Sequence, residues 1–549
     1  MSPSPNAQRR IAIYGWGLVA PSAPNIDVFA SNLASGGTWL QRFDGFGSGP
    51  FLIGNPEFDF SSYEAWIGER FAPSKAKQLR DKMDPTTLFA IGSFIQGLSQ
   101  NPGVEEALRD EGAATHVYVG NALGAIPTIS SAAVRLVRAQ RRWGRYWSHP
   151  SRNTAICEYL KGQSFLENVP VDPSTLEDQD DKEEAEDSWF SYWAPRSSLL
   201  QEYLKEFTLL ESVGVGADVD TGKMKMLRDK RRRWAELQRK WGAPPPPWTQ
   251  VSANVLWNIS SSAATQITML GRIVGPAMAP AAACSTFSMA LECGMEAIRS
   301  GRAKITVVGA TDPAPHSLTV GSFYDARVLA ADGEASIPLS QLKGTHVAGG
   351  ACIWIIADRE YGDAQGWQPL GLELVSVGLS SDAEHIITPS QHGPRAAISA
   401  SLHKAGVQAA ELSSWDLHAT ATPGDYQELK NLQSILPSST AMTARKGTFG
   451  HGMGVSGGWE LTAQHLGVSQ GTIFPTALTD HALHESIRKL DQNMVLDQPQ
   501  EAAPGPVGKL SMGVGGINAC VVSRPWADLP WRGNNWSGQS SPATPEGKD

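Results

Sequence analysis

Short apolar runs rich in β-branched residues alternate along this chain with longer stretches of helical spacing, and that alternation decides the class of fold. The compact runs lie at residues 11–14, 117–119, 305–308 and 353–356, and helical stretches include 86–98, 289–299 and 396–404. Strands read as apolar throughout when both faces of their sheet are covered, and helices between successive strands provide that cover. The expectation is an α/β architecture with buried sheets. A chain of 549 residues with 41% apolar side chains can bury one large core or several smaller ones.

Several function classes fall away at once. A formal charge of −9 argues against general nucleic-acid binding. No uninterrupted apolar run has membrane-spanning length, and residues 1–10 lack the apolar core of a secretory leader. Five scattered cysteines do not suggest a disulfide framework, and no close Cys/His pairs show zinc-ligand spacing. The expected setting is a reducing cytoplasm, with no metal or other cofactor.

Candidate chemistry centres on Cys284, in Ala281-Ala282-Ala283-Cys284-Ser285-Thr286-Phe287. A helix-compatible run over 285–299 would put this thiol on a tight turn at a helix N-terminus. Unpaired amides and the positive end of the helix dipole favour thiolate there. A lone cysteine is more often a small core residue, so its company decides. Two histidines provide it: His418 in Leu417-His418-Ala419-Thr420-Ala421-Thr422-Pro423-Gly424-Asp425, and His451 in Lys446-Gly447-Thr448-Phe449-Gly450-His451-Gly452-Met453-Gly454. A last glycine cluster, Met512-Gly513-Val514-Gly515-Gly516-Ile517-Asn518, suits a turn whose backbone approaches a ligand, and 519–522 reads as a short buried strand.

In that order these segments resemble the β-ketoacyl synthases, the condensing enzymes of fatty-acid and polyketide assembly. The cysteine motif matches at Gly275-Pro276 and Ala283-Cys284-Ser285, and H-G-T-x-T-P appears at His418 to Pro423 with alanine for glycine. K-x-x-x-G-H-x-x-G is met by Lys446, Gly450, His451 and Gly454, and G-F-G-G-x-N by Gly513 to Asn518 with valine for phenylalanine. The opening Ile11-Ala12-Ile13-Tyr14-Gly15-Trp16-Gly17 is similar to the family's first strand and turn.

The resemblance implies a thiolase-like fold of two similar α/β halves in stacked layers, usually homodimeric, with a mostly helical insertion in the N-terminal half. It implies Cys284 as nucleophile, the Cys284 and Val514 amides as oxyanion hole, and His418 and His451 as donors to a decarboxylating malonyl thioester. Lys446 would set the electrostatics around the histidines, while Thr420 and Thr422 would bind a pantetheine arm or merely stabilise their turn. The partner implied is an acyl carrier protein bearing acyl and malonyl groups. Lys77, Arg80 and Lys82 would dock it, or form an ordinary solvated helix face. Domains are expected at 10–330, carrying the nucleophile, and at 331–525, carrying both histidines, with a flexible tail at 526–549. A cysteine-dependent acyltransferase without condensation, or a weakly active partner subunit, stays open beside the synthase.

Some residues depart from the pattern. Gly349, in Ala348-Gly349-Gly350-Ala351, stands where the family has a carboxylate, so Lys446 is expected to lack its ionic partner. The preceding Leu342-Lys343-Gly344-Thr345 is altered too, and the first histidine loop looks one residue short at Pro423-Gly424-Asp425. Val514 replaces a bulky side chain that gates the acyl pocket in the family.

The resemblance skips about 138–247. That insertion opens on arginines and aromatics, and its acidic run at 177–187 is expected to be a solvated or mobile loop. Helices are expected at 199–210 and across the basic 223–240, with the prolines of 244–247 as a stiff connector. Trp143, Trp147, Trp189, Trp193, Trp234 and Trp241 point to packed structure, a cap over the acyl entrance or the dimer edge. Arg231 to Arg233 are an alternative contact for a carrier or a phosphorylated arm.

Overall fold

The structure, a computed structural model, describes residues 9–212, 220–383 and 390–528. The chain forms two compact units, one from 1–127 with 257–549 and one from 128–256.

Ten strands build the first unit's sheet: β1 (Ile11–Val19), β2 (Thr115–Gly120), β3 (Ala277–Met278), β4 (Ile305–Asp312), β5 (Gly350–Asp358), β6 (Leu370–Ser381), β7 (Ser414–Asp416), β8 (Ala441–Thr443), β9 (Val507–Gly513) and β10 (Ile517–Arg524). Their order across the sheet is β8-β7-β9-β10-β6-β1-β5-β4-β2-β3. This is one five-strand pattern used twice. In each set the order from the centre outward is first, fifth, fourth, second, third. The fourth, second and third run parallel, and the fifth pairs antiparallel with both the fourth and the first. β1 and β6 join the sets through Ile11↔Leu374 and Ile13↔Leu370. The duplication is plain in topology, although the sequence shows no strong repeat.

Five helices cover the strands: α1 (Pro85–Leu98), α2 (Ser262–Gly271), α3 (Thr286–Arg299), α4 (His392–Ala405) and α5 (Ser456–Ser469). α1 packs on β1 and β5, α2 on α1 and β2, and α4 on β6 and β10. α3 and α5 touch each other and strands of both sets, so they form a shared middle layer. That is why β1, β2, β4 and β5 are buried along their whole length. The Asp84 side chain caps α1 by accepting from Thr86 N–H, with Pro85 pre-set for the first turn. Between α3 and α5 the fit is close: a Cβ on Gly458 would lie 2.5 Å from the Phe287 ring.

Four expectations change. The seam between the halves falls between Asp358 and Leu370, not at 330/331, because β5 pairs with β1 and β4 of the first set. The inserted unit extends beyond 138–247 at both ends. Trp526 belongs to the fold rather than to a tail: it is buried, with the Arg10 and Arg359 guanidinium carbons 4.8 and 4.7 Å from its ring. Residues 529–549 lie outside the described residues.

The fourth correction concerns the acidic run, which is helical. Helix Gln179–Trp193 is capped by Asp178, whose carboxylate accepts from the amides of Asp180 and Asp181. Acidic residues in its first turn suit the dipole, and buried Trp189 and Trp193, one turn apart, anchor its inner face. Its carboxylates also meet helix Ile126–Trp147, with Arg141 to Asp187 at 2.8 Å and Arg145 to Glu186 at 2.9 Å. Trp143, Trp147, Leu200, Tyr203 and Leu237 form a second small core shared with helices Ser198–Glu211 and Asp220–Trp241.

Candidate active site

Cys284 sits in a short turn, Ala283–Ser285, that runs into α3. Ala283 takes a left-handed φ of 46°, which turns the chain sharply. The Thr286 hydroxyl donates to the Ala283 carbonyl at 2.7 Å and accepts from Ala282 N–H at 3.0 Å, while the Ser285 hydroxyl donates to the Ile517 carbonyl at 2.8 Å. The glycine turn closes over this point. The Val514 amide lies against Cys284 and works against the rise in its thiol pKa. A Cβ on Gly513 would come 2.8 Å from the Ala282 carbonyl oxygen, so this approach requires glycine. Asp382 braces the turn, accepting from Asn518 Nδ2 at 2.6 Å and donating its own amide to the Gly516 carbonyl.

The helix N-terminus is where it was expected, but its effect on the thiol is not. Burial pushes Cys284 up to about 11, against the opposing influence of the Lys446 charge and the Val514 amide. The resting group is a thiol, and a base must take its proton.

His418 follows β7 and His451 precedes α5, which brings their rings edge to face with centroids 5.6 Å apart. Both are buried. Desolvation first, and then the Lys446 charge, hold both imidazoles well below the ordinary histidine value, so both are neutral. Ser456 Oγ accepts from Gly452 N–H at 2.7 Å and lies 3.1 Å from His451 Nδ1. The serine hydroxyl thus fixes the orientation of the His451 ring. Glu428 holds the first loop by accepting from His418 and Ala419 amides at 2.7 and 2.8 Å, and Asp425 accepts from those of Thr420 and Ala421. These carboxylates hold the backbone of the loop over residues 418–421. Thr420 and Thr422 are half-buried on it, their hydroxyls 3.0 Å apart.

Lys446 has an anionic partner after all. Its Nζ lies 2.6 Å from Glu460 Oε1 and donates to the His418 carbonyl. A side chain at position 349 could not have served, because a Cβ there would lie 1.9 Å from the Pro313 carbonyl oxygen. Glu460 is nearly the only charge in buried α5, a signal that sequence reading passed over. So is Lys509 in buried β9: its Nζ lies 2.7 Å from Glu460 Oε2 and 3.4 Å from Asp416 Oδ1, and Asp416 also pairs with Arg445 at 3.1 Å.

Asp312, at the end of β4, was missed as well. It accepts from the amides of Ala122 and Leu123 at 2.9 Å and of Gly454 at 2.8 Å, and so ties the segment after β2 to the one after His451. Burial pushes its carboxyl up to about 7.

Cys284, His418, Lys446, His451 and the Val514 amide are thus gathered in one region of the first unit. Lys77, Arg80 and Lys82 are exposed on a separate helix, Lys75–Lys82, where Arg80 pairs with Glu64.

The chain matches the family models "Beta-ketoacyl synthase, N-terminal domain" over residues 212–360 and "Beta-ketoacyl synthase, C-terminal domain" over 372–480. The first match contains Cys284, and the second His418, Lys446 and His451. Nodulation protein E of Rhizobium meliloti is 27% identical over 48% of this chain and 65% of its own length. The 3-oxoacyl-[acyl-carrier-protein] synthase 2 of Rhizobium meliloti strain 1021 is 27% identical over 48% of this chain and 64% of its own. The matches therefore span just under two thirds of these relatives. Among solved structures, the ishigamide ketosynthase/chain length factor aligns with TM-score 0.67 at 17% identity, covering 95% of this chain and 100% of that one. A β-ketoacyl synthase from Burkholderia phymatum STM815 aligns with TM-score 0.63 at 16% identity, covering 94% and 100%. The thiolase-like fold is shared.

Proposed function

This chain belongs to the β-ketoacyl synthase family, and we propose that it catalyses the decarboxylative condensation of an acyl thioester with malonyl-carrier protein in fatty-acid or polyketide assembly. The observation that carries this reading is a buried thiol under the Val514 amide, set with two neutral imidazoles beside a lysine–glutamate pair.

In the first half-reaction Cys284 attacks the acyl thioester carbonyl. A neutral imidazole accepts the thiol proton and returns it to the departing pantetheine thiolate. The amides of Cys284 and Val514 hold the oxyanion. In the second, the malonyl thioester loses carbon dioxide, and the enolate oxygen takes N–H bonds from His418 and His451. The carbanion attacks the acyl–Cys284 carbonyl. That attack forms the carbon–carbon bond, and collapse of the tetrahedral adduct breaks the bond from the acyl carbon to the sulfur and releases Cys284 thiolate, which is reprotonated. Thr420 and Thr422 would bind the pantetheine arm.

The carrier would meet Lys77 and Lys82, with Arg80 already engaged by Glu64. We also propose a homodimer working in the cytoplasm. In support, both residues of edge strand β3 are exposed, and Trp257, Ile259, Val274 and Met278 leave apolar surface open close to it in the chain. Among the described residues no helix is long and apolar enough to cross a membrane.

The reason for weighing a weakly active partner subunit was a lysine without its anion, and Glu460 removes it. Incubation with acyl-carrier and malonyl-carrier tests the rest. Carbon dioxide released together with a product two carbons longer is the expected outcome. Acyl transfer to an acceptor without carbon dioxide would replace condensation by simple acyl transfer.

A further inference from the structure

Lys509 is a charged side chain with no exposure at all, in the strand that leads into the glycine turn, and the chemistry above does not use it. Its neighbours are specific. Glu460 is shared between two lysines, Oε1 facing Lys446 at 2.6 Å and Oε2 facing Lys509 at 2.7 Å. Each lysine also donates to a carbonyl of the first-histidine segment: Lys446 to His418, and Lys509 to Leu417 at 3.2 Å. Lys509 has a further bond to the Leu510 carbonyl at 2.7 Å, which anchors its ammonium in its own strand, three residues before Gly513. Burial works against its charge, yet the carboxylates of Glu460 and Asp416 hold its pKa above the ordinary lysine value.

We propose that Lys509 is a second positioning cation for the two histidines: it works opposite Lys446 across Glu460 and ties the first-histidine segment to the strand that enters the glycine turn. The inference rests on reading His418 and His451 as the pair that binds the enolate. Two consequences follow from the geometry. Mechanically, Lys509 fixes Leu417, and with it the direction in which His418 leaves β7. Electrostatically, Lys509 and Lys446 both disfavour an added proton on His418 and on His451, which keeps the rings neutral.

The other ionisable groups can be placed by element. The β7 end contributes Asp416, the segment before His451 contributes Arg445 and Lys446, and α5 contributes Glu460. Helix Gly424–Gln433 contributes Glu428, which burial pushes up to about 7. On the thiol side stand Cys284 and Asp312. Lys509 is the member that touches both Asp416 and Glu460, so removing it leaves two buried carboxylates less compensated and the imidazoles freer to protonate.

The test uses the full chain as wild type, Lys509→Met and Lys509→Arg. Two readouts are taken: NMR titration of isotope-labelled His418 and His451, and turnover with acyl-carrier and then malonyl-carrier across pH. In wild type both imidazoles should stay neutral at about pH 6. In Lys509→Met at least one should titrate about one unit higher, and the acidic limb of turnover should move upward with it. The condensation kcat should fall on the order of tenfold, with KM changed less than about twofold. Lys509→Arg should restore both readouts. A folded Lys509→Met with unchanged titration and kcat overturns the proposal, and so does an arginine variant as impaired as the methionine one. Failure of both variants to fold also overturns it, since Lys509 would then serve folding rather than positioning. If wild type releases no carbon dioxide, the condensing reading fails by itself, and the histidine titration alone judges Lys509.

Discussion

The two halves of the sheet repeat one strand order but place opposite chemistry at matching positions. In the first half the middle-layer helix follows the third strand and begins at Thr286, just past Cys284; in the second it again follows the third strand and begins at Ser456, just past His451. The segment after the second strand holds uncharged Asn121, Ala122 and Leu123 in one half and His418 in the other. Around Cys284 the first half offers desolvation and Asp312, whereas the second half packs Asp416, Arg445, Lys446, Glu460 and Lys509 into one buried ion cluster. A buried thiol of raised pKa is inert alone. On the proposed reading, the nucleophile of one half depends on a neutral base and the fixed cations of the other, which would give a duplicated fold a reason to keep two different halves.

The comparison breaks most readily at the histidines. His451→Ala should leave acylation of Cys284 intact and slow condensation by about 10²–10⁴-fold, as loss of a positioned N–H donor does. Equal loss in both half-reactions, read by single-turnover kinetics, would assign His451 to the first half's chemistry instead.

Next comes the ion cluster. Glu460→Gln removes the anion shared by two buried lysines and should cost about 3–5 kcal/mol, read from urea denaturation. An unchanged midpoint would mean the cluster is not held together through Glu460.

A smaller, pH-dependent effect belongs to the first half. Burial raises Asp312 from 3.8 to about 7, so the folded protein holds a proton that the unfolded chain releases. The stability linked to that proton is complete below about pH 4 and is lost as pH rises through about 7. Wild type should therefore lose stability relative to Asp312→Asn across that window, measured by urea midpoints at each pH. A difference independent of pH would contradict the assignment.

The smallest effect lies in the inserted unit, outside this comparison. Asp178→Ala should cost about 1 kcal/mol through the lost cap, with condensation unaffected.

The residues that the structure brings together and that are proposed to react stood out in sequence because each sits in a short segment with its own turn residues: Cys284 before a helical run, His451 between glycines, Val514 within a glycine cluster. Their supports were not. Asp312 joins amides 190 and 142 residues away, and no local pattern announces such a reach. Glu460 faces Lys446 only because α5 folds back beside it, so the search for an anion went to position 349, where backbone fills the space. The duplication was invisible because strand order depends on which apolar runs can be buried together, and many sequences satisfy that. In the inserted unit, counting charges over 177–187 suggested a loop; the Asp178 cap and the spacing of Trp189 and Trp193 decide for helix.

The most direct test of a split between nucleophile half and histidine half is intact-protein mass spectrometry on wild type, Cys284→Ala and His451→Ala. Each is exposed first to acyl-carrier thioesters of several lengths and then to malonyl-carrier. The account predicts an acyl adduct on wild type and His451→Ala but none on Cys284→Ala, with malonyl-dependent discharge in wild type far faster than in His451→Ala. An adduct that forms without Cys284, or that discharges equally fast without His451, would contradict it.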